Sequence, residues 1–181
     1  FGKLSLKEVL EAYFDTEIRT KTELHEEENS RFSAMLTQAL EETDSDTCRR
    51  WLQALREPQC GGYQLIRREA AKDPDGTRRA LLQACRGLEL LTRRTKGTIR
   101  LAVLSAQATS DPHALDSGTL CGKLFLYLLA FRSDLEAPAN AEQRDSLYYE
   151  NGILCDSISS LVTQVGLVLH TGTREHPAYR L

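Results

Sequence analysis

Residues 109–129 read T-S-D-P-H-A-L-D-S-G-T-L-C-G-K-L-F-L-Y-L-L, a compact polar turn that opens directly into the most apolar helix of the chain. The Asp111 carboxylate can accept a hydrogen bond from the backbone two residues on, and Pro112 presets the turn that follows. His113 would then be a turn residue bonded to a neighbouring backbone group. The stretch predicts a fixed structural turn between two helices.

A catalytic interpretation of the same turn would make His113 a base that a nearby carboxylate orients. Such a triad needs a nucleophile and an oxyanion site close by, and the sequence supplies neither. We favour the structural interpretation, in which Asp116 or Ser117 caps a helix that begins at Gly118.

The rest of the chain shows the apolar spacing of helices. The expected helices are residues 6–14, 20–42, 63–72, 74–94, 99–108, 118–132 and 141–151, with one more that Ser45 or Asp46 caps and Pro58 ends. Residues 161–170 are rich in β-branched side chains and are the best strand candidate. We therefore predict a mainly α fold, a multi-helix domain with a small winged-helix-like α+β element toward the C-terminus.

Residues 99–132 also resemble the helix-turn-helix of a winged-helix domain, with the strand at 161–170 as part of the wing. Its second helix would then lie in a DNA groove. That helix has few polar positions, and Lys123 is its only cation before Arg132. We interpret it first as a core helix and only second as a groove reader.

Composition excludes several classes of protein. The chain has 181 residues and five cysteines, an odd number without a Cys-x-x-Cys pair, so neither a zinc site nor a disulfide framework is expected. No apolar run is long enough to cross a bilayer, and no signal peptide is visible. We predict a cytoplasmic protein without a membrane partner, and no metal or cofactor in this region.

Charge is distributed unevenly along the chain, although the net charge is only −3. Residues 1–48 carry 5 basic and 12 acidic side chains, whereas residues 49–100 carry 13 basic and 5 acidic ones. The basic segment contains four adjacent arginine pairs, at 49–50, 67–68, 78–79 and 93–94. Because neighbours on a helix point about 100° apart, each pair can place a guanidinium outside the buried stripe.

These arginines could form a surface that binds DNA phosphates. The candidate DNA-binding residues are Arg67, Arg68, Arg78, Arg79, Arg93, Arg94, Lys96, Arg100 and Lys123. Alternatively, the arginines pair with the acidic run at 23–28 or are merely solvated, since exposed ion pairs contribute only about 0–1 kcal/mol.

Residues 111–129 resemble a bacterial family with the pattern G-D-x-H-A-L-D-x-G-T-x-L-G-R-L, the D subunit of Wadjet-type anti-plasmid systems, encoded beside condensin-like ATPases. Residues 1–14 and 147–167 support the likeness. Ser110, Cys121 and Lys123 depart mildly from the pattern. The motif residues, which we interpret as a structural turn, are Asp111, His113, Asp116, Gly118 and Thr119.

The resemblance implies a longer parent protein whose C-terminal Toprim domain, similar to the topoisomerase VI A subunit, holds metal and cuts DNA. The chain begins with Phe1, and we expect it to be a piece that precedes that domain. It would comprise a helical arm-like region at 1–96 and a winged-helix-like region at 97–181. No catalytic residue of the family can be transferred to it. The implied partners are duplex DNA, the condensin-like ATPase complex and a second copy of the parent protein.

The leading hypothesis is a non-catalytic N-terminal region of a plasmid-defence nuclease subunit that positions duplex DNA or docks the condensin-like complex. The alternative is a helical protein–protein interaction module that binds no nucleic acid. A free-standing enzyme is disfavoured, because no catalytic site is assembled in the sequence.

Overall fold

The computed structural model describes residues 5–17, 19–94, 97–155, 170–171 and 174–175. These residues form helices joined by short connections, with four two-residue strands, so the prediction of a mainly α fold is confirmed. In chain order the elements are α1 (Leu6–Phe14), α2 (Lys21–Glu41), α3 (Asp46–Ala54), α4 (Tyr63–Lys72), α5 (Pro74–Arg93), β1 (Ile99–Arg100), α6 (Leu101–Thr109), α7 (Leu120–Arg132), α8 (Ala141–Glu150), β2 (Ile153–Leu154), β3 (His170–Thr171) and β4 (Arg174–Glu175).

Side-chain caps explain where the first helices begin. The Ser5 hydroxyl accepts a hydrogen bond from the Glu8 N–H at 3.3 Å, and the Glu8 carboxylate accepts one from the Ser5 N–H at 2.6 Å. Thr20 and Glu23 form the same capping box at the start of α2. Of the two capping candidates for α3, Ser45 and Asp46, the structure selects Ser45. These starts were predictable because a cap involves residues only three positions apart.

Helix α5 is the centre of the packing, and it contacts α2, α4, α6 and α7. One face of α5 is buried, namely Thr77, Ala80, Leu81, Ala84, Cys85, Gly87, Leu88 and Leu91. At Gly87 a side chain would meet the Phe125 ring of α7 at 3.2 Å, so the small residue lets the two helices approach closely. One hydrophobic core includes residues from both sides of position 96. The division into regions 1–96 and 97–181 stays a prediction.

Helix α7 is a core helix, as favoured from the sequence. Its buried residues are Cys121, Gly122, Leu124, Phe125, Leu126, Leu128, Leu129 and Ala130. Only Lys123 and Arg132 of this helix are exposed. A recognition helix needs a polar outer face to read bases, so α7 is not available for that role.

The polar turn before α7 is tied together by buried and exposed hydrogen bonds. The buried Ser105 hydroxyl of α6 donates to the Asp111 carbonyl at 2.6 Å and accepts from the Leu115 N–H at 3.0 Å. The Asp111 carboxylate accepts from the His113 N–H at 2.9 Å, which confirms its predicted role. His113 differs from its prediction, because Nδ1 bonds the Asp116 carboxylate at 2.9 Å rather than a backbone group.

The start of the apolar helix also differs from the prediction. Helix α7 begins at Leu120 rather than Gly118, and Thr119 is its cap in place of Asp116 or Ser117. The Thr119 hydroxyl accepts from the Gly122 N–H at 2.9 Å and lies 2.6 Å from the Ala114 carbonyl, to which it can donate. It can therefore bind the helix and the turn at once.

Two glycines near this turn have different structural requirements. A Cβ on Gly122 would lie 2.0 Å from the Asp116 carbonyl oxygen and 2.6 Å from that of Leu115, so the turn backbone packs directly on α7. A Cβ on Gly118 would meet no atom within 4 Å. Gly122, and not Gly118, must therefore be a residue without a side chain.

Short strands join distant parts of the chain. Strand β1 pairs in parallel with β2, with Ile99 opposite Ile153, and so fixes the end of α8 beside the start of α6. Ile99 and Arg100 were expected to begin the helix at 99–108 but form β1 instead, and β2 was not predicted. Strands β3 and β4 pair antiparallel. Residues 161–169 of the predicted strand lie outside the described residues, so the expected wing stays a prediction.

We expect Gly122→Ala to lower the free energy of unfolding by at least about 2 kcal/mol, because the added methyl group overlaps the Asp116 carbonyl oxygen. Gly118→Ala is the matched control and should change that free energy by less than about 0.5 kcal/mol. Urea unfolding followed by Trp51 fluorescence measures both variants. Equal stabilities would show that the turn does not pack on α7.

Candidate nucleic-acid interface

Three arginines lie in one line along the outer face of α5. Arg79, Arg86 and Arg93 are seven residues apart, which is almost two turns, so successive Cα atoms are about 10.5 Å apart along the helix axis. All three are exposed. None forms an ion pair within the described part of the chain. We call these three residues the arginine line.

Two acidic residues lie beside the arginine line. Glu42 and Glu89 line a shallow groove together with Arg86 and Arg93. The Glu42 carboxylate is paired with Arg78, and Glu89 accepts a hydrogen bond at 3.3 Å from the threonine hydroxyl two residues beyond α2. Arg78 compensates the charge of Glu42, whereas the Glu89 charge remains beside Arg86 and Arg93. Neither carboxylate forms an ion pair with the arginine line, so the N–H donors of these guanidinium groups can still bind an external anion.

In the arginine pairs at 78–79 and 93–94, one member has an intramolecular partner and the other has none among the described residues. Arg78 is only a quarter exposed and binds Glu42, whereas its neighbour Arg79 has no such partner. Arg94 donates to the Thr98 carbonyl at 3.3 Å, whereas Arg93 belongs to the arginine line. Only one member of each pair is therefore well placed to bind an anion from outside.

The pair on α4 lies in a groove between α2 and α4. The guanidinium of Arg67 stacks over the Phe32 ring, 4.9 Å from its centroid, and lies 6.0 Å from that of Tyr63. Arg68 forms an ion pair with Glu69 at 2.9 Å. Both arginines line the same groove. Both arginines add positive charge to this groove, but their guanidinium groups already contact other side chains of the chain.

The acidic run at 23–28 does not neutralise the arginine pairs. Its Glu23 binds Lys7 at 2.7 Å, and Glu27 binds Arg19 at 2.9 Å and Arg31 at 2.5 Å. The first arginine pair is satisfied locally, since Arg49 donates to a backbone carbonyl at 2.8 Å and Arg50 pairs with an aspartate one turn earlier. For the described residues, the alternative that the arginine pairs form ion pairs with the acidic run at 23–28 is therefore wrong.

The candidate DNA-binding residues are not gathered in one place. Lys123 lines a separate pocket with Arg144. Arg100 is exposed on β1, and Lys96 lies outside the described residues. The residue that the sequence interpretation missed is Arg86. Arg86 has no arginine neighbour in the sequence, so the search for arginine pairs missed it. The seven-residue spacing from Arg79 to Arg93 would have identified it.

Helix α1 presents an apolar face without a partner in the described part of the chain. Leu6, Val9, Tyr13 and Phe14 are 75%, 49%, 80% and 60% exposed, and no residue of α1 is buried. These positions recur at helical spacing and lie on one stripe. The stripe therefore contributes nothing to the core described above.

Among the described residues, an ion pair between Lys7 and Glu23 links α1 to the start of α2. The Lys7 ammonium donates to the Glu23 carboxylate at 2.7 Å. This hydrogen bond, followed by one from the Thr20 N–H, lowers the pKa of Glu23 to about 2. The link holds the polar side of α1 and leaves its apolar stripe exposed.

Neither a metal-binding cluster nor a helix of bilayer-spanning character occurs in the described part of the chain. Among the described residues, no group of three or more His, Cys, Asp or Glu side chains could hold a metal ion. None of the helices in that part combines the length and hydropathy of a bilayer span.

Residues 1–169 match the family model described as "Protein of unknown function N-terminus (DUF3323)". Since the match covers most of the chain, the chain belongs to this family. No curated protein and no solved structure matches the chain at a significant level. Its functional assignment therefore depends on the residues described above.

We expect the Glu23 carboxyl to titrate near pH 2, because it accepts hydrogen bonds from Lys7 and from the Thr20 N–H. Its pKa is below the ordinary 4.5, so the stabilisation it provides is complete above pH 4.5 and is lost as the pH falls toward 2. Lys7→Met should raise this pKa. Carboxyl-carbon NMR titration measures it. The same midpoint in both proteins would contradict the link between α1 and α2.

Proposed function

We propose that this member of the DUF3323 family is a non-catalytic N-terminal region of a bacterial plasmid-defence nuclease subunit, which positions duplex DNA or docks the condensin-like complex. The observation that carries the DNA part is the arginine line on α5. The family is described as an N-terminus, which supports the placement of this region within a longer protein. The likeness of residues 111–129 to the Wadjet D subunit supports the biological setting.

The arginine line suits a DNA backbone. Duplex DNA carries one negative charge per about 1.7 Å of its axis, and the line spans about 21 Å, so several phosphates lie within its length. Guanidinium groups donate well to phosphate oxygens, and such contacts carry no sequence information. A region that positions DNA of any sequence needs contacts of this kind.

The other candidate cations would contribute to DNA binding to different extents. Arg67 and Arg68 line the groove between α2 and α4, and Arg100 is exposed on β1. These three residues would add positive charge without setting the position of the DNA. Arg78 and Arg94 already have intramolecular partners, so their contribution would be smallest. Lys96 remains a candidate from the sequence alone. Because α7 is buried, a winged-helix-like region at 97–181 would have to contact DNA through elements other than that helix.

The parent protein would cut DNA through a metal-bound Toprim domain beyond this region, in the cytoplasm and as a homodimer. These features are proposed from the resemblance. The described residues would serve to hold and orient DNA for that domain.

We expect the triple variant Arg79→Gln, Arg86→Gln, Arg93→Gln to bind duplex DNA much more weakly than the unmodified chain. If all three residues contact phosphates, the slope of log K against log salt concentration should fall in magnitude by about 3. Thermal stability should not change, because the three side chains are exposed and lack intramolecular ion pairs. Fluorescence anisotropy with a labelled duplex at several salt concentrations measures the slope.

The charge-matched control is Arg19→Gln, Arg50→Gln, Arg132→Gln. It removes the same net charge from exposed residues that each have an intramolecular partner. An equal loss of affinity in the two triple variants would show a general charge effect and contradict the arginine line. No binding of the unmodified chain even at low salt would remove the DNA part of the proposal.

The second candidate function is a helical protein–protein interaction module, and the exposed stripe of α1 favours it. An amphipathic helix that docks in a groove presents anchors at i, i+3, i+4 and i+7, and Leu6, Val9, Leu10 and Tyr13 have this spacing. Isolated helices shorter than about 12 residues are marginal in water, and α1 has nine residues. A partner surface would therefore stabilise it.

We expect Val9→Ser with Tyr13→Ser to change the free energy of unfolding by less than about 0.5 kcal/mol, because neither side chain is buried. The control Leu36→Ala removes a fully buried side chain and should cost about 2–5 kcal/mol. Urea unfolding measures both. A cost above about 1 kcal/mol in the α1 variant would show that the stripe packs on the domain and would remove the support for this candidate.

A further inference from the structure

A pocket lies between α7, α8 and the segment that joins them. Its volume is about 400 Å³, within the range of small-molecule sites. The lining residues are Ser117, Lys123, Leu126, Tyr127, Ala137, Pro138, Ala139, Asn140, Ala141 and Arg144. The two charged side chains in this set are both cations, and they come from different helices.

The two cations retain hydrogen-bonding capacity toward the pocket. Lys123 is exposed and forms no ion pair within the described residues. Arg144 donates from Nε to Asp145 at 3.2 Å, and a second contact joins Nη1 to the Ser117 hydroxyl at 3.5 Å. A guanidinium has five N–H donors, so these two contacts leave others for a ligand.

The remaining lining restricts the kind of ligand. Tyr127, Leu126 and Pro138 supply apolar surface. Helix α8 begins at the pocket, where Asn140 caps it, so the positive end of the helix dipole faces the same space. A cationic ligand would be repelled, and a purely apolar one would leave the Lys123 ammonium and the remaining Arg144 N–H donors without a ligand acceptor. A DNA duplex is too wide to enter.

We propose that this pocket binds a small molecule in which an oxyanion, phosphate or carboxylate, is attached to an apolar ring. The oxyanion lies between Lys123 and Arg144, and the ring lies against Tyr127. Ligand binding in this pocket would be a function separate from DNA positioning, because neither Lys123 nor Arg144 belongs to the arginine line. It also reassigns Lys123, which the charge pattern had grouped with the DNA contacts.

The test uses the whole chain and three probes, namely phenyl phosphate, inorganic phosphate and N-acetylphenylalanine. Isothermal titration calorimetry measures the affinities, and amide chemical shifts locate the site. We expect saturable binding of at least one ring-bearing probe, with shifts at Tyr127 and Arg144. Because the apolar wall contacts the ring, phenyl phosphate should bind several-fold more tightly than inorganic phosphate. The tighter of the two ring-bearing probes identifies the phosphate or the carboxylate as the preferred group.

Lys123→Gln and Arg144→Gln should each weaken that binding by about tenfold, since each removes a charge-assisted hydrogen bond. Arg86→Gln is the control and should leave it unchanged. Lys123 is exposed, so its variant keeps the test valid even if the Arg144 variant fails to fold. Absence of saturable binding of both ring-bearing probes overturns the proposal, as does binding that the Lys123 variant leaves intact. Neither result bears on the arginine line, whose test is DNA affinity.

Discussion

The burial of one face of α5 is the constraint on which the rest of this structure depends. Helices α2, α4, α6 and α7 all pack against that face, and the packing turns the helix so that Arg79, Arg86 and Arg93 point outward. A helix has only one orientation in which its apolar stripe is buried, so the position of the charged face follows from the core. The arginine line is in this sense a consequence of the hydrophobic packing.

The turn before α7 also supports this core. The Ser105 hydroxyl of α6 bonds to two backbone groups of the turn, and the absence of a side chain at Gly122 lets the turn backbone lie on α7. The density of special residues in this stretch is therefore explained by structure. The exposed hydrogen bond between His113 and Asp116 further connects the residues of the turn on its solvent side.

Much of the local structure could be predicted, but the candidate sites could be predicted only in part. The capping boxes at Ser5 and Thr20 act over three residues, so the sequence is sufficient to place them. The cap of α7 was placed wrongly, because Asp116, Ser117 and Thr119 are all good capping residues. The contact of Thr119 with the Ala114 carbonyl distinguishes them, and that contact depends on the path of the whole turn. Strand β2 was missed because two residues carry too short a pattern.

The sequence by itself determined the mainly α character, most helix starts, the apolar stripe of α1 and the concentration of arginine in the middle of the chain. Periodicity and capping act within a few residues, and charge can be counted. Only the tertiary structure decided which guanidinium groups have partners, and that Lys123 and Arg144 line one pocket. Those outcomes depend on which side chains of other helices approach a given atom. Such approaches are set by packing between residues that are distant in the sequence.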